Sequence, residues 1–174
     1  MPRIQPVDHA TATGEAKTLL DSVKSAIGMV PNIFATFAQS PKALEGFLAL
    51  SKALGQGRLS ARLREQIALS VAGANGCDYC ASAHSAVGQR NLQAQSADPK
   101  VQAALVFART AVERRGQLAD GDVAALRAAG YSEGEIVEIV VHIGVNLLTN
   151  YFNHIAGTEI DFPVVRATAG ARAA

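Results

Sequence analysis

The sequence predicts an all-α protein, a single-domain helical bundle. Apolar residues recur every three or four positions along most of the 174 residues, the period of an amphipathic helix. These stretches are bounded by typical helix caps, and a strand-like composition occurs only at 162–165, where Pro163 disfavours strand pairing. The length suits one domain. We therefore expect one unit over 1–174, with its core at about 12–162 and a frayed tail at 168–174.

Three helices are predicted before residue 60. The first carries its apolar residues over 19–27 and ends at Gly28, since glycine is a common C-terminal cap. A short second helix begins at Pro31 and includes two phenylalanines. The third begins at Ser40, an N-cap residue followed by proline at the first helical position, and extends to about Leu54.

Two further helices are predicted around the cysteines. Ser60 can cap the fourth helix, which ends at Asn75-Gly76. The fifth helix begins at or near Cys77 and continues past His84. The CxxC motif is thus expected at the start of a central helix.

Three helices are predicted in the remainder. Asp98-Pro99 opens one that ends near Gly116, and a short helix over 123–127 is closed by Gly130. The last helix begins at a capping box, in which a serine and a glutamate three residues later bond each other's backbone N–H groups, and it ends near residue 157.

The composition excludes several classes of partner. Apolar residues make up 49% of the chain and charged residues 18%, which is typical of a globular protein with a large core. A net charge of +1 provides no field for nucleic acid. The most apolar stretch, 136–148, is shorter than the roughly 20 residues that span a bilayer. Because no apolar run follows Met1, we expect no secretory signal, no membrane association and a cytoplasmic protein.

The only two cysteines form a Cys77-Asp78-Tyr79-Cys80 motif, with His84 four residues later and Glu65 twelve residues earlier. Residues three and four apart share a helix face, so both thiols and the imidazole lie together. Glu65 faces them if the two helices pack antiparallel across the Asn75-Gly76 turn. A carboxylate that orients a base beside a thiol is the usual arrangement of an activated nucleophile.

This arrangement predicts a thiol redox centre. A helix N-terminus lowers the pKa of a thiol, and Cys80 alone has His84 at i+4, so we expect Cys80 to attack and Cys77 to resolve. In a reducing compartment a permanent structural disulfide is not expected. Zinc is an alternative, with Cys77, Cys80, His84 and a carboxylate as its four ligands. Three of these ligands would lie on one helical stripe, which is poor tetrahedral geometry. We therefore predict no metal.

The set of Glu65, Cys77, Cys80 and His84 at this spacing resembles the alkyl hydroperoxidase D family of the carboxymuconolactone decarboxylase-like superfamily. The stretches 28–32 and 150–154 are similar to its peroxidase-related branch. The resemblance implies an all-α fold and a homo-oligomer, commonly a trimer or hexamer. It also implies an antioxidant peroxidase with peroxiredoxin activity, in which the second cysteine attacks the peroxide and the first resolves it.

The resemblance further implies an external dithiol reductant, such as a protein-borne lipoyl group, and no bound cofactor. One position departs from the family pattern. Tyr79 stands where the best-studied relatives carry a histidine, directly before the second cysteine. A phenol cannot relay protons at neutral pH as an imidazole does, which weighs against the lipoyl and peroxiredoxin partners.

Other polar and aromatic residues carry weaker signals. A stripe recurs every four residues on the last helix, at His142, Asn146, Asn150 and His154. It could line a pocket, although such a stripe more often forms a polar seam against neighbouring helices or a subunit interface. The phenylalanines Phe34, Phe37 and Phe47 are expected in the core or at oligomer contacts, where they could shape an apolar entrance for an alkyl peroxide. Arg64 is interpreted as a charge on the helix face.

Two other functions remain open. The same dithiol could serve a redox sensor or a disulfide exchange protein without peroxidase activity. The lactone decarboxylase chemistry of sister families is the third possibility. Those families act without redox cysteines, so the intact Cys77 and Cys80 argue against it.

Overall fold

A computed structural model describes residues 1–87 and 98–167, which form eight α-helices and no β-strand in these two ranges. This confirms the all-α prediction. The helices are α1 (Gly14–Ile27), α2 (Asn32–Phe37), α3 (Pro41–Gly55), α4 (Ala61–Asn75), α5 (Asp78–Val87), α6 (Pro99–Glu113), α7 (Asp120–Ala128) and α8 (Glu133–Ala156).

The helix boundaries follow the predicted caps. Gly28 ends α1 with a φ of 89°, a left-handed conformation that favours glycine. At the start of α8, Ser132 Oγ accepts from the N–H of Glu135 at 3.3 Å, and Glu135 Oε2 accepts from the N–H of Ser132 at 2.8 Å. Ser40 does precede α3, but its side chain makes no capping hydrogen bond. There the proline at the first helical position favours the helix start instead.

One apolar cluster joins α4, α6, α7 and α8. Its fully buried members include Ile67 and Val71 of α4, Leu126 of α7 and Ile139 of α8. Burying such side chains contributes about 1.5–3 kcal/mol each. Because α4 packs against α5, α6 and α8, it forms the centre of the bundle and fixes where Glu65 lies.

A second apolar cluster joins α1, α2, α3 and α5, and it includes both cysteines. Aromatic rings tie it together: Phe37 stacks on Phe152 of α8 at 3.9 Å between ring centroids, and on Phe47 of α3 at 5.4 Å. The predicted core position of Phe37 is thereby confirmed. The single domain over 1–174 stays a prediction, and the predicted frayed tail at 168–174 lies outside the described residues.

The segment after α8 packs along α5. The hydroxyl of Tyr79 donates a hydrogen bond to Asp161 at 2.8 Å, and the backbone N–H of Val165 donates one to Ser82 Oγ at 2.9 Å. Further along, Arg166 Nη1 donates to Asp78 at 2.6 Å. The strand-like stretch at 162–165 therefore bonds to helix side chains, consistent with the expected effect of Pro163.

None of the helices within the two described ranges is long and apolar enough to cross a membrane.

Candidate active site

The turn between α4 and α5 sets the position of Cys77. Gly76 adopts a left-handed conformation with a φ of 66°, which ends α4. The N–H of Cys77 then donates to Ala72 O at 2.9 Å, and that of Gly76 to Gly73 O at 3.2 Å. These two bonds form a Schellman motif, so the chain reverses sharply. As a result α5 returns along α4, which is the packing that the prediction for Glu65 required.

Cys77 occupies the N-cap position of α5, just before Asp78. Its carbonyl accepts from the N–H of Ala81 at 3.0 Å, and its Sγ accepts from the N–H of Cys80 at 3.5 Å. The thiol thus takes the place of a capping hydroxyl. Both cysteines are unpaired and buried, with exposed fractions of 1% for Cys77 and 3% for Cys80.

Two side chains of α8 contact the sulfur of Cys80. Asn153 Nδ2 donates to it at 3.3 Å, and Thr149 Oγ1 lies 3.9 Å from it. The hydroxyl of Thr149 donates to Asn146 O at 3.0 Å, and it can rotate toward a thiolate. Sequence reasoning missed both residues. The signal available was their spacing, because 142, 146, 149 and 153 follow the helical period more closely than steps of four do.

The two thiols ionise differently. The Cys77 thiol donates to Cys80, which lowers the pKa of Cys80 to about 6, and the charge of His84 and the bonds from Asn153 and Thr149 act in the same direction. Burial opposes this shift. The same hydrogen bond, together with burial, raises the pKa of Cys77 far above its usual range. This hydrogen bond therefore favours the thiolate form of Cys80 and the neutral thiol of Cys77.

Glu65 and His84 form a hydrogen-bonded ion pair. His84 Nδ1 lies 2.8 Å from Glu65 Oε2, and the exposed fractions of the two side chains are 28% and 27%. Burial lowers the pKa of His84, but the bond to Glu65, its charge and that of Cys80 outweigh burial and raise it. Within the described residues no direct hydrogen bond joins His84 to Cys80. The imidazolium acts on the thiolate through its charge.

A cavity of about 260 Å³ opens beside this cluster. Its polar lining includes Glu65, His84 and Thr149, while Phe47, Leu54 and Val145 supply apolar walls. Through Thr149 the cavity reaches the environment of the Cys80 sulfur. Phe47 lines this cavity, and the apolar entrance stays a prediction.

A sequence comparison with protein families finds a match. A model of the carboxymuconolactone decarboxylase family matches residues 41–112, which cover α3, α4, α5 and most of α6. Over these residues the chain is similar to that family. No curated protein matches the sequence significantly.

Several solved structures share the fold. An alkylhydroperoxidase AhpD core protein, an uncharacterized peroxidase-related protein from Ralstonia eutropha, superimposes with a TM-score of 0.80 at 24% identity over 92% of both chains. A peroxidase-related protein from a Silicibacter species gives 0.77 at 24% identity, over 90% of this chain and 91% of the other. The alkyl hydroperoxidase D-like fold is confirmed.

The debrominase Bmp8 has the same fold. Its structure, a cysteine-to-alanine variant in complex with 2,3,4-tribromopyrrole, gives a TM-score of 0.78 at 22% identity over 91% of both chains. The alkyl hydroperoxidase D-like fold therefore accommodates more than one chemistry. At these identities the likeness establishes the fold and not the reaction.

Within this fold the polar stripe of α8 divides. His142 and Asn146 line the cavity, as the pocket interpretation expects. Asn150 is fully buried and accepts from Asn75 Nδ2 at 3.0 Å, as the seam interpretation expects, while His154 is exposed. The division follows from helix geometry, because each step of four residues rotates the position by about 40°.

Tyr79 points away from the cavity. Its hydroxyl donates to Asp161 and accepts from the N–H of Ile33 at 3.2 Å, and its ring packs edge-on against Phe162. Burial, with the charge of Asp161, raises the pKa of Tyr79. In this chain the residue holds α2 and the C-terminal segment against α5. In this structure its role is positional.

Over residues 1–87 and 98–167, no three His, Cys, Asp or Glu side chains are placed to hold a metal ion.

Proposed function

We propose that this protein is a thiol-dependent peroxidase with peroxiredoxin activity, which reduces organic hydroperoxides or hydrogen peroxide. One observation carries the proposal: Asn153 Nδ2 donates to the Cys80 sulfur at 3.3 Å, with the Cys77 thiol and the charge of the Glu65-bonded His84 nearby, and these contacts lower the pKa of Cys80. A peroxidase needs an ionised thiol for attack and a second thiol for resolution. The cavity beside Cys80 supplies the route for a small peroxide.

The first step oxidises Cys80. Its thiolate attacks the terminal oxygen of ROOH, an S–O bond forms and the O–O bond breaks, giving Cys80–SOH and RO⁻. The alkoxide takes a proton from the imidazolium of His84 and leaves as ROH. Glu65 stabilises that imidazolium beforehand through the 2.8 Å bond. General acid catalysis of this kind contributes roughly 10²–10⁴ in rate.

The second step forms the disulfide. Cys77 sulfur attacks the Cys80 sulfur, the S–O bond breaks, and the departing hydroxide combines with the Cys77 proton as water. The sum is ROOH plus two thiols giving ROH, water and one disulfide. An external dithiol, such as a lipoyl group, then restores both thiols by exchange. Cys77 precedes the helix proper, where the backbone can adjust to the geometry of the bond.

The test is consumption of cumene hydroperoxide by the reduced protein in the presence of a dithiol. We expect turnover in the wild type and none in Cys80→Ser. Cys77→Ser should consume one equivalent and hold a sulfenic acid that dimedone labels. Disulfide formation by an oxidant without peroxide turnover would contradict the proposal and favour the redox sensor.

Burial separates the peroxidase from the disulfide exchange protein. Exchange with a protein partner requires that a sulfur be reached by a bulky disulfide. Only 1% of Cys77 and 3% of Cys80 is exposed. A bulky disulfide could therefore reach either sulfur only if the helices moved, whereas the approach of a small peroxide does not require such a movement.

Reductive debromination is a second candidate, favoured by the structural neighbour Bmp8 and by a cavity of about 260 Å³ with apolar walls. The electron balance is the same: R–Br plus two thiols gives R–H, HBr and one disulfide. Bromide release from 2,3,4-tribromopyrrole, measured beside cumene hydroperoxide consumption, distinguishes the two. A lactone decarboxylase would instead retain activity in a variant that lacks both Cys77 and Cys80.

A further inference from the structure

The cavity has an end that lies away from the reacting sulfur. His142 and Thr149 both line it from α8, and they are seven residues apart. At 1.5 Å per residue this separation is about 10 Å along the helix axis. Thr149 lies beside Cys80, so His142 is too far away to touch the peroxide bond, and its function there is not explained by the chemistry of the thiols.

His142 is a buried polar group without a hydrogen-bond partner. Its exposed fraction is 8%, and within the described residues no group pairs with its Nε2. Burial and the charge of Arg64 lower its pKa, so the ring is neutral and has one N–H to donate. Buried polar atoms nearly always have partners, and an exception indicates a function.

Arg64 lines the same end of the cavity. Its Nη1 donates to Leu59 O at 2.6 Å, and no carboxylate among the described residues lies within ion-pair distance of its guanidinium. Glu65, the acid next to it, is bonded to His84 instead. The nearby Glu138 accepts from the N–H groups of Arg58 and Leu59 at 2.7 and 3.2 Å. Arg64 therefore retains donors for a ligand.

The middle of the cavity is apolar. Phe47, Leu54 and Val145 form its walls. The cavity volume of about 260 Å³ is just below the roughly 300–1,000 Å³ that is typical of small-molecule sites, so the cavity suits a short ligand. A cavity with apolar walls that is lined by Thr149, the neighbour of the Cys80 sulfur, and by the guanidinium of Arg64 suits a short, two-ended molecule.

We propose that Arg64 and His142 bind a carboxylate, so that the preferred substrate is a short organic hydroperoxide carrying an acid group at the end opposite the peroxide. This inference rests on the proposed peroxidase function. Arginine binds carboxylates through paired N–H bonds, and the neutral imidazole of His142 adds a further donor. Repulsion between the carboxylate and the Cys80 thiolate directs the peroxide end toward the sulfur.

The test compares 6-hydroperoxyhexanoate with its methyl ester. The two have the same reacting group and the same chain, and they differ in the charge at the far end. We expect kcat/KM of the wild type to be at least about tenfold higher for the acid, which is the weight of one charged hydrogen bond. Equal values for acid and ester would overturn the proposal.

Variants locate the effect. Arg64→Gln should bring the acid-to-ester ratio close to one, Arg64→Lys should keep part of it, and His142→Phe should lower it severalfold. Arg62→Gln is the matched control, because Arg62 is exposed on the same helix and does not line the cavity. A ratio unchanged in Arg64→Gln contradicts the proposal, and the wild-type ratio decides by itself should that variant not fold.

Binding separates this site from the peroxidase reaction. Hexanoate carries the acid and no peroxide, and its affinity for the reduced wild type can be compared with that of hexan-1-ol by calorimetry. Tighter binding of hexanoate than of hexan-1-ol, lost in Arg64→Gln, supports the carboxylate site. If neither hydroperoxide is consumed in that case, only the proposed peroxidase function is contradicted. Equal affinity of acid and alcohol overturns the site whatever the turnover.

Discussion

Cys77 and Cys80 have the same side chain, and the fold gives them opposite ionisation. Cys77 bonds its neighbour and lies among apolar side chains of α1 and α2, which favours the neutral thiol. Cys80, three residues on, accepts hydrogen bonds from the Cys77 thiol and the Asn153 amide and lies near the charge of His84. A difference of one pKa unit corresponds to about 1.4 kcal/mol, so a few directed contacts suffice.

Asn153 is expected to tune the nucleophile. Asn153→Ala removes the donor at 3.3 Å from Cys80, and since a hydrogen bond to a charged group contributes about 1.5–3 kcal/mol, we expect the pKa of Cys80 to rise by at least about one. Ultraviolet absorbance of the thiolate against pH measures this. The control is His154→Ala, on the exposed side of the same turn. An unaltered titration in Asn153→Ala would show that the amide does not stabilise the thiolate.

The pH profile of peroxide reduction has two expected limits. The rate should fall as pH drops through about 6, because Cys80 with its lowered pKa then takes up a proton. On the alkaline side it should fall when His84 loses the proton that Glu65 retains on it.

Glu65→Gln tests the alkaline limit. The substitution removes the charge that raises the pKa of His84, so the alkaline limit should move to lower pH and the rate at neutral pH should drop by roughly 10²-fold. Stopped-flow consumption of peroxide measures both. The helix content should stay unchanged by circular dichroism, since the side chain is partly exposed. Should neither the rate nor the limit move, the ion pair takes no part in proton transfer.

The element that matters most is the turn between α4 and α5. It ends one helix with a left-handed glycine and starts the next with a cysteine as the cap, so the two thiols and the Glu65–His84 pair meet across adjacent helices. The caps of this turn were predictable because they depend on local backbone chemistry.

Gly76→Ala tests the turn. A Cβ at this position would have no atom within 4 Å, so the cost is that of placing alanine at a φ of 66°, about 1–2 kcal/mol. We expect this loss in the free energy of unfolding, measured with urea, and slower disulfide formation. Gly46→Ala is the control: Gly46 lies within α3 with a helical φ and open space, so alanine should stabilise by roughly 0.5–1 kcal/mol. If both substitutions change the free energy of unfolding by the same amount, the left-handed conformation of Gly76 does not disfavour a side chain as expected.

At the scale of the whole molecule, α8 has an inner face toward the active site and an outer face toward solvent. The inner face supplies Thr149 and Asn153 to the thiol. The outer face exposes apolar side chains at helical spacing, namely Val137, Val140, Leu148, Tyr151 and Ile155, with exposed fractions of 48–66%. A stripe of this length on one helix is typical of an interface. We propose that it forms the contact of the homo-oligomer that the resemblance implies.

Leu148→Glu tests this contact. A charge in the centre of the stripe should lower the molar mass measured by light scattering, because burying an unpaired carboxylate opposes association. Val164→Glu is the control, since Val164 is 58% exposed and lies outside α8. If the wild type is already monomeric, there is no such interface. If the Leu148→Glu variant keeps the molar mass of an oligomeric wild type, the interface lies elsewhere.

The sequence by itself determined the all-α class, the helix ends and the grouping of Glu65, Cys77, Cys80 and His84, since helical period and capping act over a few residues. Only the tertiary structure decided that Asn153 and Thr149 contact the sulfur, that Tyr79 bonds Asp161 and that Arg64 lines the cavity. The interpretation of Arg64 as a charge on the helix face was incomplete in this respect. These contacts join residues 69–82 positions apart, or depend on which way a side chain turns once α4 and α8 have packed, and no local pattern encodes that packing.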